Sequence, residues 1–283
     1  MRVDAHQHYW SVGRGDYGWL TPALAPLYRD FGPADLEPEL RALGITGTVL
    51  VQAAPTLAET LYLLDLAART PSVLGVVGWV DLASDDVHAQ LAALSAHPKL
   101  KGVRPMLQDL PDHRWIARAP IDAGLESLTR LGLRFDALVR SRHLPHLLER
   151  MQRHPELPIV IDHAAKPDVR SGEFDAWRER IAPLARLPRV YCKLSGLLTE
   201  APPGCGAGVF APYVDTVLEL FGPQRVMWGS DWPVLNLAAR YSEWATLTDR
   251  LLQSLDAEER QAVLGGTATR FYGLSPPLTK ETP

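Results

Sequence analysis

The sequence predicts an α/β fold, a (β/α)8 TIM barrel built as a single domain. Eight short apolar or β-branched segments recur along the chain, and segments with helical patterns separate them. The apolar segments are nearly continuous, as expected for parallel strands covered on both faces. The competing architecture, a doubly wound open sheet, usually has a Gly-rich phosphate turn after its first strand, whereas this chain has His6-Gln7-His8 there. The barrel is therefore favoured.

The predicted strands are short and follow one another at intervals that leave room for a helix each. In order, they are Val3–His8, Gly47–Gln52, Leu74–Val80, Leu100–Arg104, Leu133–Leu138, Ile159–His163, Val190–Leu194 and Val226–Asp231. The length of 283 residues fits this count, because barrels of this type use roughly 250 residues as one domain.

Several helices between these strands have recognisable ends. Thr56 and Glu59 form a capping-box pattern ahead of a leucine-rich segment. Three further helices have N- or C-terminal signals of Ser, Asp, Pro or Gly. They are Leu36–Leu43 after Pro33 and before Gly44, Val87–Ala96 after Ser84-Asp85-Asp86, and Ile121–Leu131 before Gly132.

The barrel domain is expected to span residues 1–274, with one long loop at about residues 9–33 between the first strand and the first helix. The loop is rich in Gly, Pro and aromatic residues, and long loops in compact domains often serve as lids or binding loops. Residues 275–283, which are rich in Pro and Thr, are predicted to form a frayed tail.

Composition excludes several classes of function. A net charge of -4 gives no electrostatic case for nucleic acid or an anionic membrane as a partner. The two cysteines have no paired spacing, and neither a secretory signal nor an apolar run of membrane-spanning length is visible. These features predict a cytoplasmic protein. They leave its oligomeric state open.

Polar residues end almost every predicted strand, and in such barrels the active site lies at those ends. His6 and His8 are two residues apart in a strand, so they project from the same face, and Asp231 is expected to face them. The other candidates at strand ends are Gln52, Trp79, Arg104, Asp136, His163 with Lys166, Lys193 with Ser195, and Trp232. Lys193 has the weakest claim, because it precedes Leu194 and neighbouring strand residues face opposite ways.

Each candidate also has a structural interpretation. His6 and His8 would then be buried histidines bonded to backbone carbonyls, Arg104 would form a salt bridge at the barrel rim, and Gln52 would cap a strand. Isolated polar residues at strand ends are common, but so many converging on one mouth favour a functional site.

Four motifs resemble the amidohydrolase superfamily, and within it the branch of sugar-lactone hydrolases and related lactonases, such as those for L-fuconolactone, L-rhamnonolactone and 2-pyrone-4,6-dicarboxylate. The motifs are Asp4-Ala5-His6-Gln7-His8-Tyr9-Trp10, Asp162-His163-Ala164-Ala165-Lys166-Pro167, Lys193-Leu194-Ser195-Gly196-Leu197 and Trp228-Gly229-Ser230-Asp231-Trp232-Pro233. The resemblance runs over nearly the whole chain in the expected order.

The resemblance implies that His6, His8, His163 and Asp231 occupy the superfamily's metal-ligand positions on strands one, six and eight. Strand four offers Arg104 instead of a bridging ligand, and strand five offers Asp136 where a histidine is usual. A two-metal site is therefore disfavoured. We expect either no required cofactor or one divalent ion at low occupancy, for which zinc suits imidazole and carboxylate ligands.

The resemblance also implies hydrolysis of a sugar lactone such as an L-fuconolactone, in L-fucose catabolism. Asp231 would take a proton from water, and His6, His8 and His163 would polarise the carbonyl or hold the water. Substrate binding is assigned to aromatic and polar side chains around the mouth. They are Trp10, Trp19, Trp79, Trp232, Gln52, Arg104, Asp136 and Lys166.

Two alternatives remain open from the sequence. One is a zinc-dependent decarboxylase of the same superfamily, which needs the strand-five histidine that Asp136 replaces. The other is a non-catalytic barrel that binds a sugar lactone as a sensor, for which a water-activating base has no use.

Overall fold

The computed structural model describes residues 1–275 and has the predicted (β/α)8 barrel architecture. Eight parallel strands form one sheet in the order β1-β2-β3-β4-β5-β6-β7-β8, so each strand pairs with its neighbours in sequence. The strands are β1 Val3–Gln7, β2 Gly47–Val51, β3 Val73–Gly78, β4 Leu100–Val103, β5 Arg134–Ala137, β6 Ile159–Ile161, β7 Val190–Leu194 and β8 Val226–Trp228.

Several strands end earlier than the sequence predicts, and the difference concerns the candidate site. β1 ends before His8, β6 before His163 and β8 before Asp231. The backbone turns sharply at two of these points, because His163 has φ 54° and Asp231 has φ 60°. These side chains therefore lie on the turns just after the strands rather than within them.

Contacts between the ends of β1 and β8 close the barrel at its carboxyl edge. The amide of Asp231 donates to the carbonyl of His6 at 2.8 Å, and the amide of His8 donates to the carbonyl of Trp232 at 2.7 Å. Buried Asp4 reinforces this junction, since its carboxylate accepts from the backbone and hydroxyl of Ser230 at 2.8 and 2.6 Å. The first and last strands thus hold their site residues next to each other.

Helices surround the sheet, and their ends agree broadly with the predicted signals. They are α1 Pro33–Ala42, α2 Leu57–Arg69, α3 Val87–Leu94, α4 Trp115–Arg118, α5 Asp122–Arg130, α6 Leu144–Arg153, α7 Phe174–Ala185, α8 Ala207–Phe221, α9 Tyr241–Leu251, α10 Ala257–Gln261 and α11 Thr267–Tyr272. Gly44 and Gly132 follow α1 and α5 with φ of 63° and 66°, the left-handed conformation in which glycine terminates helices.

The predicted capping box of α2 forms only in part. Thr56 accepts from the amide of Glu59 at 3.0 Å, as expected. The Glu59 carboxylate does not return to Thr56 and instead accepts from the amides of Ala53 and Ala54 after β2. Through these bonds Glu59 fixes the β2–α2 turn. Burial raises the pKa of its carboxyl to about 7.

The long first loop folds onto the barrel mouth around its own aromatic core. Trp10 and Phe31 pair through their backbones at its two ends, and the rings of Trp10 and Trp19 meet edge to face at 5.5 Å. The predicted frayed tail, apart from Ser275, lies outside the described residues. Within residues 1–275, none of the helices has the length and apolar character needed to cross a membrane.

Candidate active site

A cavity of about 230 Å³ opens at the carboxyl ends of the strands. Its polar lining comes mainly from the strand-end turns and its apolar lining from the loops. The polar residues are His8, Arg104, Gln108, Asp109, His163, Lys166 and Asp231, and the apolar ones include Trp19, Leu24, Leu27, Met106, Leu138, Val234 and Leu237. Ligand pockets of roughly 300–1,000 Å³ hold drug-sized molecules, so this cavity suits a smaller ligand such as one sugar ring. It is called here the catalytic cavity.

Asp231 lies at the centre of three imidazoles. Its Oδ1 is 3.2 Å from Nε2 of His8, 3.7 Å from Nε2 of His6 and 3.9 Å from Nε2 of His163. Burial alone would raise the pKa of this carboxyl, but the histidines, His163 foremost, outweigh burial and hold the pKa well below its usual range. Asp231 is therefore an ionised carboxylate that faces the cavity.

Two of the histidines are oriented by neighbours on adjacent strands. Nδ1 of His8 lies 2.8 Å from the carbonyl of Val51, and because a carbonyl only accepts, this nitrogen carries a proton. Nε2 of His8 is then the ring atom that faces Asp231, at 3.2 Å from its Oδ1. Nδ1 of His163 lies 2.8 Å from the hydroxyl of Ser195, which leaves its Nε2 directed at Asp231. Burial lowers the pKa of His163 to about 4, so this imidazole is neutral at pH 7.

Two glycines allow the backbone to approach these imidazoles closely. A Cβ on Gly196 would lie 2.6 Å from Nδ1 of His163, and one on Gly229 would lie 2.7 Å from Cβ of His6. Gly196 also has φ 65°, which disfavours any other residue. The glycines in the Ser195-Gly196 and Trp228-Gly229 motifs are thus needed for space beside the site.

The turn after β6 is unusual because four successive residues, His163 to Lys166, have positive φ. Non-glycine residues in this region cost roughly 1–3 kcal/mol each, and such conformations cluster at functional sites. Here the turn aims His163 and Lys166 into the cavity.

Beneath the cavity lies a fully buried set of charges, called here the lower ion cluster: Lys193, Asp136 and Asp162. Nζ of Lys193 is 2.6 Å from Oδ2 of Asp136 and 3.0 Å from Oδ1 of Asp162. It is also 3.2 Å from Nδ1 of His6, whose side chain is completely buried. Lys193 and, more weakly, His6 and Arg104 outweigh burial and hold the pKa of Asp162 well below its usual range.

Two residues of this cluster were not predicted from the sequence: Lys193 had the weakest claim of the candidates, and Asp162 was given no role. The available signal was the strand periodicity itself: residues 193 and 195 share a face, and Ser195 points at His163. Because Ser195 faces the site, Lys193, two residues earlier in the strand, also faces the barrel interior, one layer below. Asp136 belongs to the same layer, because it pairs with Lys193 at 2.6 Å, and its carboxylate also accepts from the hydroxyl of Tyr272 at 2.6 Å.

The structure brings together only part of the predicted substrate-binding set. Arg104, Lys166 and Trp19 line the catalytic cavity, and the indole nitrogen of Trp19 donates to the carbonyl of Ala53 at 2.8 Å. The remaining predicted residues do not line it. They are Gln52, Trp10, Trp79, Asp136 and Trp232.

Four of these five side chains, those of Gln52, Trp10, Trp232 and Asp136, have a structural partner instead. Gln52 is buried and donates to the carbonyl of Arg104 at 2.6 Å. Trp10 and Trp232 are buried against Phe31 with ring centroids 5.5 and 5.2 Å away. For Trp79, the backbone amide donates to the hydroxyl of Thr60 at 2.7 Å. In this structure these five side chains do not line the cavity, and their role as substrate contacts stays a prediction.

Among the described residues, His6, His163 and Asp231 form a group whose potential ligand atoms all lie within 4.8 Å of one another. This donor set suits a single zinc ion. His8 is not part of the group, so three of the four predicted metal ligands converge. Nη1 of Arg104 lies 3.3 Å from Nε2 of His6, and that nitrogen cannot hold an ion and accept from the guanidinium at once.

Comparison with known proteins identifies the family of the chain. A family model described as "Amidohydrolase" matches residues 3–274. An L-fucono-1,5-lactonase of Burkholderia ambifaria is 47% identical, with 98% of this chain and 97% of that protein covered. A second L-fucono-1,5-lactonase, from Burkholderia multivorans, is 39% identical with the same coverage.

A solved structure of an amidohydrolase from Burkholderia multivorans with bound zinc superimposes with a TM-score of 0.91 at 38% identity. The match covers 97% of this chain and all of that one. The eight-stranded barrel, the strand-end histidines with Asp231, and these matches lead to one conclusion. The chain belongs to the amidohydrolase family.

Proposed function

We propose that this protein is a lactonase that hydrolyses a sugar lactone of the L-fucono-1,5-lactone type to the free sugar acid. The observation that carries the proposal is the ionised carboxylate of Asp231, held among three imidazoles at the end of a cavity sized for one sugar ring. Two relatives with nearly full coverage carry the name of that activity.

In the proposed mechanism, Asp231 takes a proton from a water molecule as the water oxygen attacks the lactone carbonyl. General-base catalysis of this kind contributes roughly 10²–10⁴-fold. Arg104 lines the cavity and offers a permanent positive charge to the developing oxyanion. As the ring C–O bond breaks, the proton returns to the ring oxygen through the Asp231–His8 pair. The sugar acid then ionises and releases one proton to solvent.

The apolar side of the cavity supports a 6-deoxy sugar as substrate. Fuconolactone carries a methyl group where the corresponding galactonolactone has a hydroxymethyl group. Leucine, valine and methionine side chains line much of the cavity, and they provide burial for a methyl but no partner for a hydroxyl. Asp109 and Gln108 remain available at the rim for ring hydroxyls.

A divalent ion, where bound, would be held by His6, His163 and Asp231 and would supply Lewis-acid polarisation of the carbonyl. We propose that turnover does not depend on it, because Arg104 already places a cation beside His6 and the cavity. Dialysis against a chelator, with the metal content measured, should leave most of the lactonase rate. Loss of the rate and its return with zinc would contradict this part of the proposal.

A panel of aldonolactones with a pH indicator tests the proposed function directly. We expect acid release from L-fucono-1,5-lactone, and a loss of about 10²–10⁴-fold in Asp231→Asn with little change in thermal stability. The decarboxylase alternative has less support, since Asp136 pairs with Lys193 below the cavity and offers no ligand to it. No acid release from any aldonolactone would refute the lactonase assignment.

A further inference from the structure

A second cavity of about 640 Å³ lies beside the catalytic cavity, and its charge is opposite to that of the protein. Five basic side chains line it: Arg140, Arg142, Lys166, Arg170 and Arg180. Three acidic ones accompany them: Asp168, Glu173 and Glu200. The lining is therefore positive by two charges, whereas the whole chain carries -4. This cavity is called here the basic pocket.

Three of these arginines have no carboxylate within ion-pair distance. Among residues 1–275, the ion pairs include no partner for Arg142, Arg170 or Arg180, nor for Asp168 and Glu173 of the same pocket. Arg170 donates to the carbonyls of Ala201 and Thr199 at 3.2 and 3.1 Å.

The other two arginines also donate to neutral acceptors. Arg142 donates to the carbonyl of Gln108 at 3.1 Å, and Arg180 donates to the hydroxyl of Ser141 at 3.3 Å. Such acceptors fix where a guanidinium lies without neutralising it. The pocket thus presents oriented positive charge to an incoming anion.

Only a thin layer of ion pairs separates the basic pocket from the catalytic cavity. Lys166 lines both cavities and pairs with Glu200 at 3.3 Å. Arg140 joins Glu200 at 3.7 Å to Asp109, on the catalytic side, at 4.0 Å. These side chains are between 12% and 66% exposed. The two longer pairs of Arg140, with Glu200 and with Asp109, are partly exposed and contribute little, so they can rearrange at low cost.

The proposed reaction gives this arrangement a use. It converts an uncharged lactone into a carboxylate in front of Asp231, which is itself negatively charged. In the catalytic cavity the carboxylate product is repelled by Asp231 and attracted by Arg104, whereas the basic pocket past Lys166 has an excess of positive charge. The neutral substrate is not attracted by that excess.

We propose that the basic pocket is an anion subsite that binds the sugar-acid product as it leaves the catalytic cavity. This inference rests on the proposed lactonase function. It assigns Arg142, Arg170 and Arg180 as the residues that attract the carboxylate. Lys166 lies between the two cavities, on the route that the product takes.

The test compares two double variants that remove equal charge. Arg142→Gln/Arg180→Gln alters the pocket and keeps Arg170, because Arg170 donates to two backbone carbonyls, whereas Arg142 donates to one and Arg180 to a side-chain hydroxyl. Arg178→Gln/Arg189→Gln is the matched control, because these exposed arginines pair with Glu219 and Glu156 outside the pocket. L-Fuconate is the anionic probe and L-fucitol the uncharged one. Binding is measured by calorimetry, and product inhibition by initial rates at increasing L-fuconate.

We expect the dissociation and inhibition constants for L-fuconate to rise about three- to tenfold in the pocket variant and to change less than about twofold in the control. The initial rate on the neutral lactone should stay the same in both variants. Equal L-fuconate affinity in the two double variants, or L-fucitol binding as tightly as L-fuconate, would overturn the subsite. The binding measurement needs no turnover. If the protein hydrolyses no lactone but the pocket variant binds L-fuconate more weakly than the control variant, the subsite is supported and the proposed function is refuted.

Discussion

Removing the ammonium of Lys193 should destabilise the barrel strongly, and removing Asp136 at the same time should restore most of the stability. Lys193 is the only cation that pairs with Asp136 within the described residues, at 2.6 Å, whereas Asp162 keeps Arg104 at 3.4 Å. Lys193→Met therefore leaves the buried carboxylate of Asp136 without a cation beside it, although the hydroxyl of Tyr272 still donates to it. Breaking a buried pair from one side costs about 3–5 kcal/mol, whereas replacing both partners is often close to neutral.

The assay is a double-mutant cycle of urea unfolding on wild type, Lys193→Met, Asp136→Asn and the double variant. We expect the double variant to lie within about 1–2 kcal/mol of wild type, which makes it about 2–3 kcal/mol more stable than Lys193→Met. Its kcat should nevertheless fall, because His6 loses the neighbour at Nδ1. Arg150→Met, which removes a buried cation far from the mouth, is the control for kcat. A Lys193→Met variant that loses less than about 1 kcal/mol, or a double variant as unstable as Lys193→Met, would refute the reasoning.

Three further predictions concern the upper part of the site. Gly196→Ala should lower kcat because its Cβ meets His163, whereas Gly132→Ala, with a similar positive φ and open space, should cost only about 1 kcal/mol of stability; equal kcat in both variants would contradict this. Burial lowers the pKa of His163 to about 4 from 6.5, so the unfolded chain binds the proton more readily and the free energy of unfolding should fall between about pH 6.5 and 4. Urea titrations at pH 7.5 and 4.5 check this, and His163→Asn should show a smaller fall. L-Fucono-1,5-lactone should exceed L-galactono-1,5-lactone in kcat/KM by roughly 5–150-fold, the cost of about 1–3 kcal/mol for burying an unpartnered hydroxyl; a ratio near one would remove the argument for a 6-deoxy substrate.

The sequence predicts the barrel and the polar residues of its mouth for a simple reason. Strand positions follow from apolar segments, and His6, His8, His163 and Asp231 lie directly at strand ends, where topology alone decides their place. The loop residues were harder to place. Trp10 and Trp19 occupy one loop and have similar chemistry, yet only Trp19 lines the cavity, because the path of the loop decides which ring is buried.

The lower ion cluster could not be read from residue types, since a lysine in an apolar strand gives no sign of its partners. Its position explains the departure from the superfamily's ligand pattern on strand five. Asp136 does not take the place of a histidine in holding an ion. It compensates Lys193, which in turn lies against His6 and Asp162. In this buried layer, Arg104 pairs with Asp162, and Lys193 pairs with both Asp162 and Asp136. A histidine at position 136 would remove one of the two carboxylates that Lys193 pairs with and leave it Asp162. Lys193 therefore supplies a fixed positive charge between Asp136, Asp162 and His6, below the cavity in which Asp231 lies.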